Sequence, residues 1–283
     1  MEAIEIKNLK KTYKNFTLNI EEMKVKKGFI TGFIGPNGSG KTTTIKAIMN
    51  MINPDHGEIL VFGRGIAEDL DVKEGVGFIG DVSGYLEESK IKNIKKNISR
   101  FYSRWDEKLY NKLISKFSLN ENSLYSKLSK GQKKQFDLAI ALSIKPKILI
   151  MDEPTSNLDP IVRNELLDIL QEEMEKGDLT IFYSTHVTSD LDKCADYIIF
   201  IYKGKIILQG EKDYILENHS LIKGKKELLD NETKKYLIST KLNSFGFTAL
   251  TSNKGEAYEV FGEEVIYEKP TLEDIMLYYT RRD

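Results

Sequence analysis

The sequence predicts an α/β fold in which helices cover a buried parallel sheet, and three stretches predict it. The apolar, β-leaning run Gly28-Phe29-Ile30-Thr31-Gly32-Phe33-Ile34 leads into Gly35-Pro36-Asn37-Gly38-Ser39-Gly40-Lys41-Thr42-Thr43, and a helical pattern follows from Ile45 to Met51. That order is strand, glycine loop, helix. Ile148 to Met151 is an apolar run closed by Asp152-Glu153, the pattern of a buried parallel strand with acids at its C-terminal end. Leu179 to Tyr183 reads as a further strand and ends at Ser184-Thr185-His186.

The remaining elements follow in order. Ala3 to Val25 reads as short β segments, because Ile4 and Ile6, then Phe16, Leu18 and Ile20, alternate with polar or charged residues; Tyr13 falls in the turn between them. Asn53-Pro54-Asp55-His56-Gly57 is a turn cluster with His56 solvated, and Glu58 to Phe62 is a strand. Val76 to Ile79 is another, ending in the loop Gly80-Asp81-Val82-Ser83-Gly84. Ile91 to Phe117 has helical spacing, with Ile91, Ile94, Ile98, Phe101 and Tyr102 on one face. Its crowd of lysines and arginines reads as a solvated surface sooner than as a site for lipid headgroups or an acidic partner. Ser129 is a natural N-cap for a helix through Phe136 and Leu142. Asp159-Pro160 opens the next helix, which Gly177 stops, and Lys203-Gly204 joins the strands Tyr197–Tyr202 and Lys205–Gln209 as a hairpin. The character changes near residue 211, which divides the chain into 1–210 and a small α+β appendage at 211–283. There the pattern predicts a helix over Leu228–Leu242, strands at Phe247–Thr251 and Ala257–Phe261 around Asn253-Lys254-Gly255, and a terminal helix over Thr271–Tyr279; His219 reads as surface.

Bulk composition excludes several classes. The chain has 283 residues, and its 42 basic and 43 acidic residues leave a net charge of -1, which gives no footprint for nucleic acid. One cysteine, Cys194, allows no internal disulfide and fits a reducing, cytoplasmic setting. The longest apolar runs, such as Tyr197–Tyr202, fall far short of the roughly 20 residues that span a bilayer. Met1-Glu2-Ala3-Ile4-Glu5 does not read as a signal peptide, so a membrane role is expected through a separate chain.

The chemistry concentrates at the strand ends. Successive N–H groups of a glycine loop form a concave anion nest, and the helix beginning near Lys41 points its positive end at the same place. Lys41 supplies a cation for β- and γ-phosphates, and the Thr42 hydroxyl is placed for Mg²⁺. Asp152 can hold Mg²⁺ through its water shell, because that ion keeps several waters. Glu153 is then free to orient and deprotonate an attacking water. His186 follows a neighbouring strand end and could reach the γ-phosphate. Three scattered histidines and one cysteine give no transition-metal site.

Residues 1–210 resemble the ATP-binding subunit of an ATP-binding-cassette (ABC) transporter. Gly35 to Thr43 is similar to the Walker A loop, Ile148 to Asp152 to Walker B with Glu153 as the catalytic carboxylate, and Leu128-Ser129-Lys130-Gly131-Gln132 to the family signature, usually LSGGQ. Ser156-Asn157-Leu158-Asp159 is similar to the D-loop, His186 to the switch histidine, and Tyr13 to the aromatic that stacks on adenine. The resemblance implies a P-loop NTPase (RecA-like) core with an antiparallel β subdomain and a helical signature subdomain at about 82–145. It also implies that ATP with Mg²⁺ is held between two protomers, each ATP lying between the Walker A loop of one and Ser129, Lys130, Gly131 and Gln132 of the other. The resemblance further implies that the pair, a homodimer or a heterodimer, sits on the cytoplasmic face of the membrane beside a separate transmembrane permease. Two positions depart from the pattern: Asp81 stands where a metal-touching glutamine is usual, and Lys130 where glycine is common. Pro270 to Tyr279 resembles the tail of bacterial multidrug and bacitracin exporters. The alternatives are a low-turnover regulatory module and a soluble ABC ATPase; a P-loop kinase gives no reason for the signature or for Glu153.

Overall fold

The computed structural model describes residues 1–66, 69–81, 83–156 and 158–281. The chain opens with the antiparallel hairpin β1 (Glu2–Tyr13) and β2 (Phe16–Lys26), in register from Tyr13 opposite Phe16 to Ile4 opposite Val25, with a shift before Glu2 meets Lys26. The short segments expected there are two long strands, and Tyr13 closes the first. β3 (Ile30–Ile34) runs into α1 (Lys41–Ile48), and β4 (His56–Val61) returns beside β1, giving the three-stranded sheet β2-β1-β4. α2 (Leu70–Glu74) leads to β5 (Val76–Ile79).

The helical stretch expected over Ile91–Phe117 is two helices, α3 (Ile91–Ser99) and α4 (Glu107–Lys116). Asp106 causes the break by accepting the Leu109 N–H at 3.0 Å and restarting the helix as its N-cap. Phe101, expected on the inner face, is 78% exposed in that break. α5 (Lys130–Ser143) follows and packs on α4.

Next come β6 (Ile148–Asp152), α6 (Pro160–Met174), β7 (Thr180–Thr185), α7 (Thr188–Cys194), β8 (Tyr197–Tyr202) and β9 (Lys205–Glu211). The central sheet has the order β5-β6-β7-β3-β8-β9, parallel except for the β8–β9 hairpin. Every residue of β3, β6 and β7 is buried, as a parallel sheet covered on both faces requires. Register places Asp152 opposite Ser184 and Ile34 opposite Thr185, so the loops after β3, β6 and β7 emerge side by side.

The last segment contains α8 (Lys212–Asn218), β10 (Ser220–Gly224), β11 (Ser239–Asn243), β12 (Gly246–Thr251), α9 (Lys254–Phe261), β13 (Ile266–Glu268) and α10 (Leu272–Thr280). Its sheet, β11-β12-β10-β13, covers a small core of Ile222, Leu237, Phe247, Ala249, Ala257, Phe261 and Val265. Leu250, Leu272, Ile275 and Tyr278 join the main core instead.

Three readings of this segment need correction. Leu228–Leu242 is not a helix. Asp230 Oδ1 accepts the N–H groups of Glu232 and Thr233, a local turn that competes with a helix, and Ser239–Asn243 pairs with β12. Ala257–Phe261 is helical rather than extended, because Asn253 accepts the Glu256 N–H and starts α9. His219 is buried, with Nδ1 2.8 Å from the Ile215 carbonyl and Nε2 3.1 Å from Tyr279 Oη.

Phe247 is 2% exposed and fills the small core. Phe247→Ala should destabilise the terminal sheet by about 3–5 kcal/mol, read as a lower denaturant midpoint. An unchanged midpoint would mean that this core contributes nothing to folding.

Candidate functional site

The loop after β3 is shaped by what glycine lacks. A Cβ on Gly35 would stand 2.3 Å from the Ile201 carbonyl oxygen and 2.7 Å from Ser39 Oγ, so the chain can turn there only without a side chain. Gly40, at φ +114°, takes the N-cap position of α1. That helix start has no side-chain cap and no acid in its first turn, so its positive end is left uncompensated. Ser39 Oγ is buried with no hydrogen-bond partner. Lys41 is 6% exposed and folds back, its Nζ donating to the Gly35 carbonyl at 2.7 Å. Burial holds its pKa below the usual lysine value, against the pull of Glu153 and Asp152.

The acids meet it from the neighbouring strands. Asp152 ends β6, is 4% exposed, and accepts from Ser184 Oγ at 3.1 Å. Burial raises its pKa, and the hydroxyls of Thr42 and Ser184 oppose the rise. Glu153 has φ +51°, a left-handed conformation that costs a non-glycine residue about 1–3 kcal/mol. Neighbours hold it there: its N–H donates to the Ser184 carbonyl at 2.9 Å, and its Oε2 receives Ser156 Oγ at 2.8 Å and faces His186 Nδ1 at 2.8 Å. Its Oε1 lies 3.5 Å from Lys41 Nζ.

These groups share a cavity of about 1140 Å³ that Asn37, Lys41, Thr42, Asp152, Glu153 and His186 line. Asp81 and Ser83 border it from the loop after β5, and Asn15 and Phe16 from the start of β2. Tyr13 is 44% exposed and does not line it, although Phe16 nearby does. Ser129, Lys130, Gly131 and Gln132 are also absent from its wall. Ser129 instead caps α5, accepting the Gln132 N–H at 3.2 Å while Gln132 Oε1 accepts the Ser129 N–H at 2.9 Å, and Ser129 and Lys130 are exposed. Asp159, also exposed, caps α6 by accepting from Ile161 and Val162; Asn157 of the expected D-loop and Val82 of the Asp81 loop lie outside the described residues.

Oxygen donors at Thr42 and Asp152 fit a hard divalent cation such as Mg²⁺. Among the described residues no group of three or more His, Cys, Asp and Glu could hold a metal. A cation here would therefore have few protein ligands and would need phosphate or water for the rest.

Sequence reasoning missed Asp137, which also lines the cavity. It is 5% exposed, accepts from Ser83 Oγ at 2.6 Å, and has Tyr125 Oη 3.4 Å away; Burial pushes its carboxyl up to about 6. One turn earlier, Lys134 Nζ donates to the Gly80 and Asp81 carbonyls, tying the helix that Ser129 caps to the loop after β5. The available signal was a lone acid inside the apolar run Phe136–Leu142.

A family profile described as ABC transporter matches residues 18–156. The chain is 35% identical over 213 residues to the lantibiotic transport ATP-binding protein SrtF of Streptococcus pyogenes, covering 74% of this chain and 91% of that protein. It is 31% identical over 195 residues to the bacitracin transport ATP-binding protein BcrA of Bacillus licheniformis, covering 68% of this chain and 63% of that protein. A solved ATP-binding subunit of an ABC transporter superimposes with a TM-score of 0.68 at 26% identity, covering 76% of this chain and 92% of that one.

The buried carboxylate has a pH consequence. Folded Asp137 keeps its proton to about pH 6 against an ordinary value of 3.8, so across that window the folded state binds more protons and stability falls as pH rises. Asp137→Asn keeps the size and an acceptor for Ser83 but cannot ionise. It should flatten the pH dependence of Tm in that window and raise stability above pH 6 by about 3 kcal/mol. A variant with the parent slope would contradict this.

Proposed function

The chain belongs to the ABC transporter family of ATP-binding subunits, and on that premise we propose that it powers export through a separate permease by closing and opening around ATP with a second ATPase subunit. Members of this family are ATPases that couple hydrolysis to transport. The lantibiotic and bacitracin transport proteins to which it is similar support export as the direction. The observation that carries the mechanism is a divided site. One cavity gathers Lys41, Thr42, Asp152, Glu153 and His186, while the capped helix start at Ser129 is exposed outside it. Both are anion-binding devices, and a partner's Ser129 can complete a site that this chain leaves open.

In this reading the N–H groups of Gly35 to Thr43 cradle the triphosphate of ATP. Lys41 leaves the Gly35 carbonyl for the β- and γ-phosphates. Tyr13, exposed and outside the cavity wall, is the side chain assigned to stack on adenine, and Phe16 lines the cavity nearby. Thr42 and Asp152 would hold Mg²⁺, with Asp81 beside them, and the ion would supply charge neutralisation for the phosphates. Glu153 orients and deprotonates the attacking water, and His186 bridges that carboxylate to the γ-phosphate. The partner's Ser129, with the N–H groups of Lys130, Gly131 and Gln132, closes over the same phosphate. Asp159 faces the partner across the joint. Binding energy becomes closure, and hydrolysis releases it.

Among the described residues no helix is long and apolar enough to cross a membrane; the reading places the chain beside its permease on the cytoplasmic face. A groove of about 660 Å³ lined by Met49, Ile66, Phe78, Ile98, Phe101 and Tyr102 offers the permease an apolar face. It adjoins the nucleotide cavity through Phe78 and Tyr85, which line both.

Glu153→Gln should leave ATP binding intact, slow hydrolysis by about 10²-fold or more, and accumulate an ATP-bound dimer on size-exclusion chromatography. Turnover at the parent rate would remove the role given to Glu153. Ser129→Arg should block ATP-driven dimerisation while single-chain nucleotide binding persists; a normal dimer would refute the shared site.

A further inference from the structure

Behind the loop that carries Glu153 lies a second polar cluster, and it is fully buried. Asp190 of α7 is 2% exposed, Thr155 1% and Tyr183 0%. Thr155 Oγ1 donates to Asp190 Oδ2 at 2.6 Å, and Tyr183 Oη donates to the same oxygen at 3.0 Å. The other carboxylate oxygen lies 3.2 Å from Arg163 Nε, an ion pair that lacks hydrogen-bond geometry. Four segments therefore converge on one carboxylate: the loop after β6, β7, α6 and α7.

Each of those four residues lies within four positions of a residue placed above in the site or at its joint with the partner. Thr155 follows Glu153 by two residues, and its neighbour Ser156 donates to Glu153 Oε2. Tyr183 precedes Ser184, which donates its hydroxyl to Asp152 and offers its carbonyl to the Glu153 N–H. Asp190 stands four residues after His186, and Arg163 four after Asp159. Apolar residues of similar size would fill this space without the desolvation cost of a buried charge. The side-chain hydrogen bonds and ion pair of Asp190, Thr155 and Tyr183 run to one another and to Arg163, not to the Gly35–Thr43 loop.

We propose that Asp190 is a positioning residue for hydrolysis: by clamping Thr155 to Tyr183 it fixes the Glu153–Ser156 turn against the strand that leads to His186. The proposal rests on the roles given to Glu153 and His186. Glu153 holds a left-handed backbone conformation, and the turn after it needs an anchor to stay there. Thr155 is that anchor: its hydroxyl donates to Asp190 Oδ2 and lies 2.8 Å from the Tyr183 hydroxyl. Through Arg163 the same carboxylate reaches the helix that Asp159 caps, so a partner pressing on Asp159 would be felt at Glu153.

The test is Asp190→Asn in the full chain, measured beside the parent and Glu153→Gln for kcat, KM for ATP, nucleotide affinity and Tm. The expected result is a fall in kcat of about 10²-fold, the scale of a misplaced reacting group, with ATP affinity unchanged and an ATP-bound dimer still formed. A merely structural residue would lower Tm without separating kcat from affinity. Parent turnover, or affinity lost in step with turnover, overturns the proposal. If Asp190→Asn does not fold, Thr155→Val and Tyr183→Phe each remove one donor and are read in the same way. Should Glu153→Gln keep parent turnover, the assigned mechanism fails first; should Glu153→Gln stall while Asp190→Asn turns over normally, only this inference fails.

Discussion

The structure depends on a helix start left electrically open. α1 begins at a glycine that offers no side chain to cap it, and its first turn holds no acid. α4, α5 and α6 begin under Asp106, Ser129 and Asp159, whose side chains accept their free N–H groups. An uncapped start beneath a buried lysine is costly unless an anion completes it. Lys41 Nζ donates to the Gly35 carbonyl and lies 3.5 Å from Glu153 Oε1. Everything around the cavity serves this point: the central sheet brings the loops after β3, β6 and β7 together, and Asp152, Glu153 and His186 stand on them.

The second constraint concerns what one chain cannot do alone. Ser129 and Gln132 satisfy each other as a capping box, so α5 is stable with its start exposed. Lys134 and Asp137 then fasten that helix to the loop carrying Asp81 and Ser83, on the cavity wall. In the proposed reading, these polar contacts would carry a push at the exposed start of α5 to the cavity wall of the same chain. In the proposed reading, a permease seated in the apolar groove beside Phe78 and Tyr85 has access to the same wall.

The central sheet and the cavity were legible because their signals are local. Apolar-rich runs leading to Asp152 or His186, and glycines at fixed offsets before Lys41, need no tertiary information. The terminal segment was less legible because tertiary contacts and turn chemistry decide it. Asp230 diverts a helical pattern into a turn, and Asn253 starts a helix where a strand pattern stood. His219 looked like surface because its partner, Tyr279, lies sixty residues away. Asp137 and Asp190 were invisible for a related reason: each matters through hydroxyls supplied by other elements, Ser83 and Tyr125 for one, Thr155 and Tyr183 for the other.

The claim that ATP is held between two chains is tested most directly by mixing two inactive variants. Lys41→Ala removes the phosphate lysine from one chain, and Ser129→Arg spoils the signature of the other. In a mixed pair one site receives both defects and the other receives none. The account predicts that ATPase activity absent from either variant alone returns on mixing. A mixture as inactive as its components, with both chains folded, would contradict a site shared between protomers.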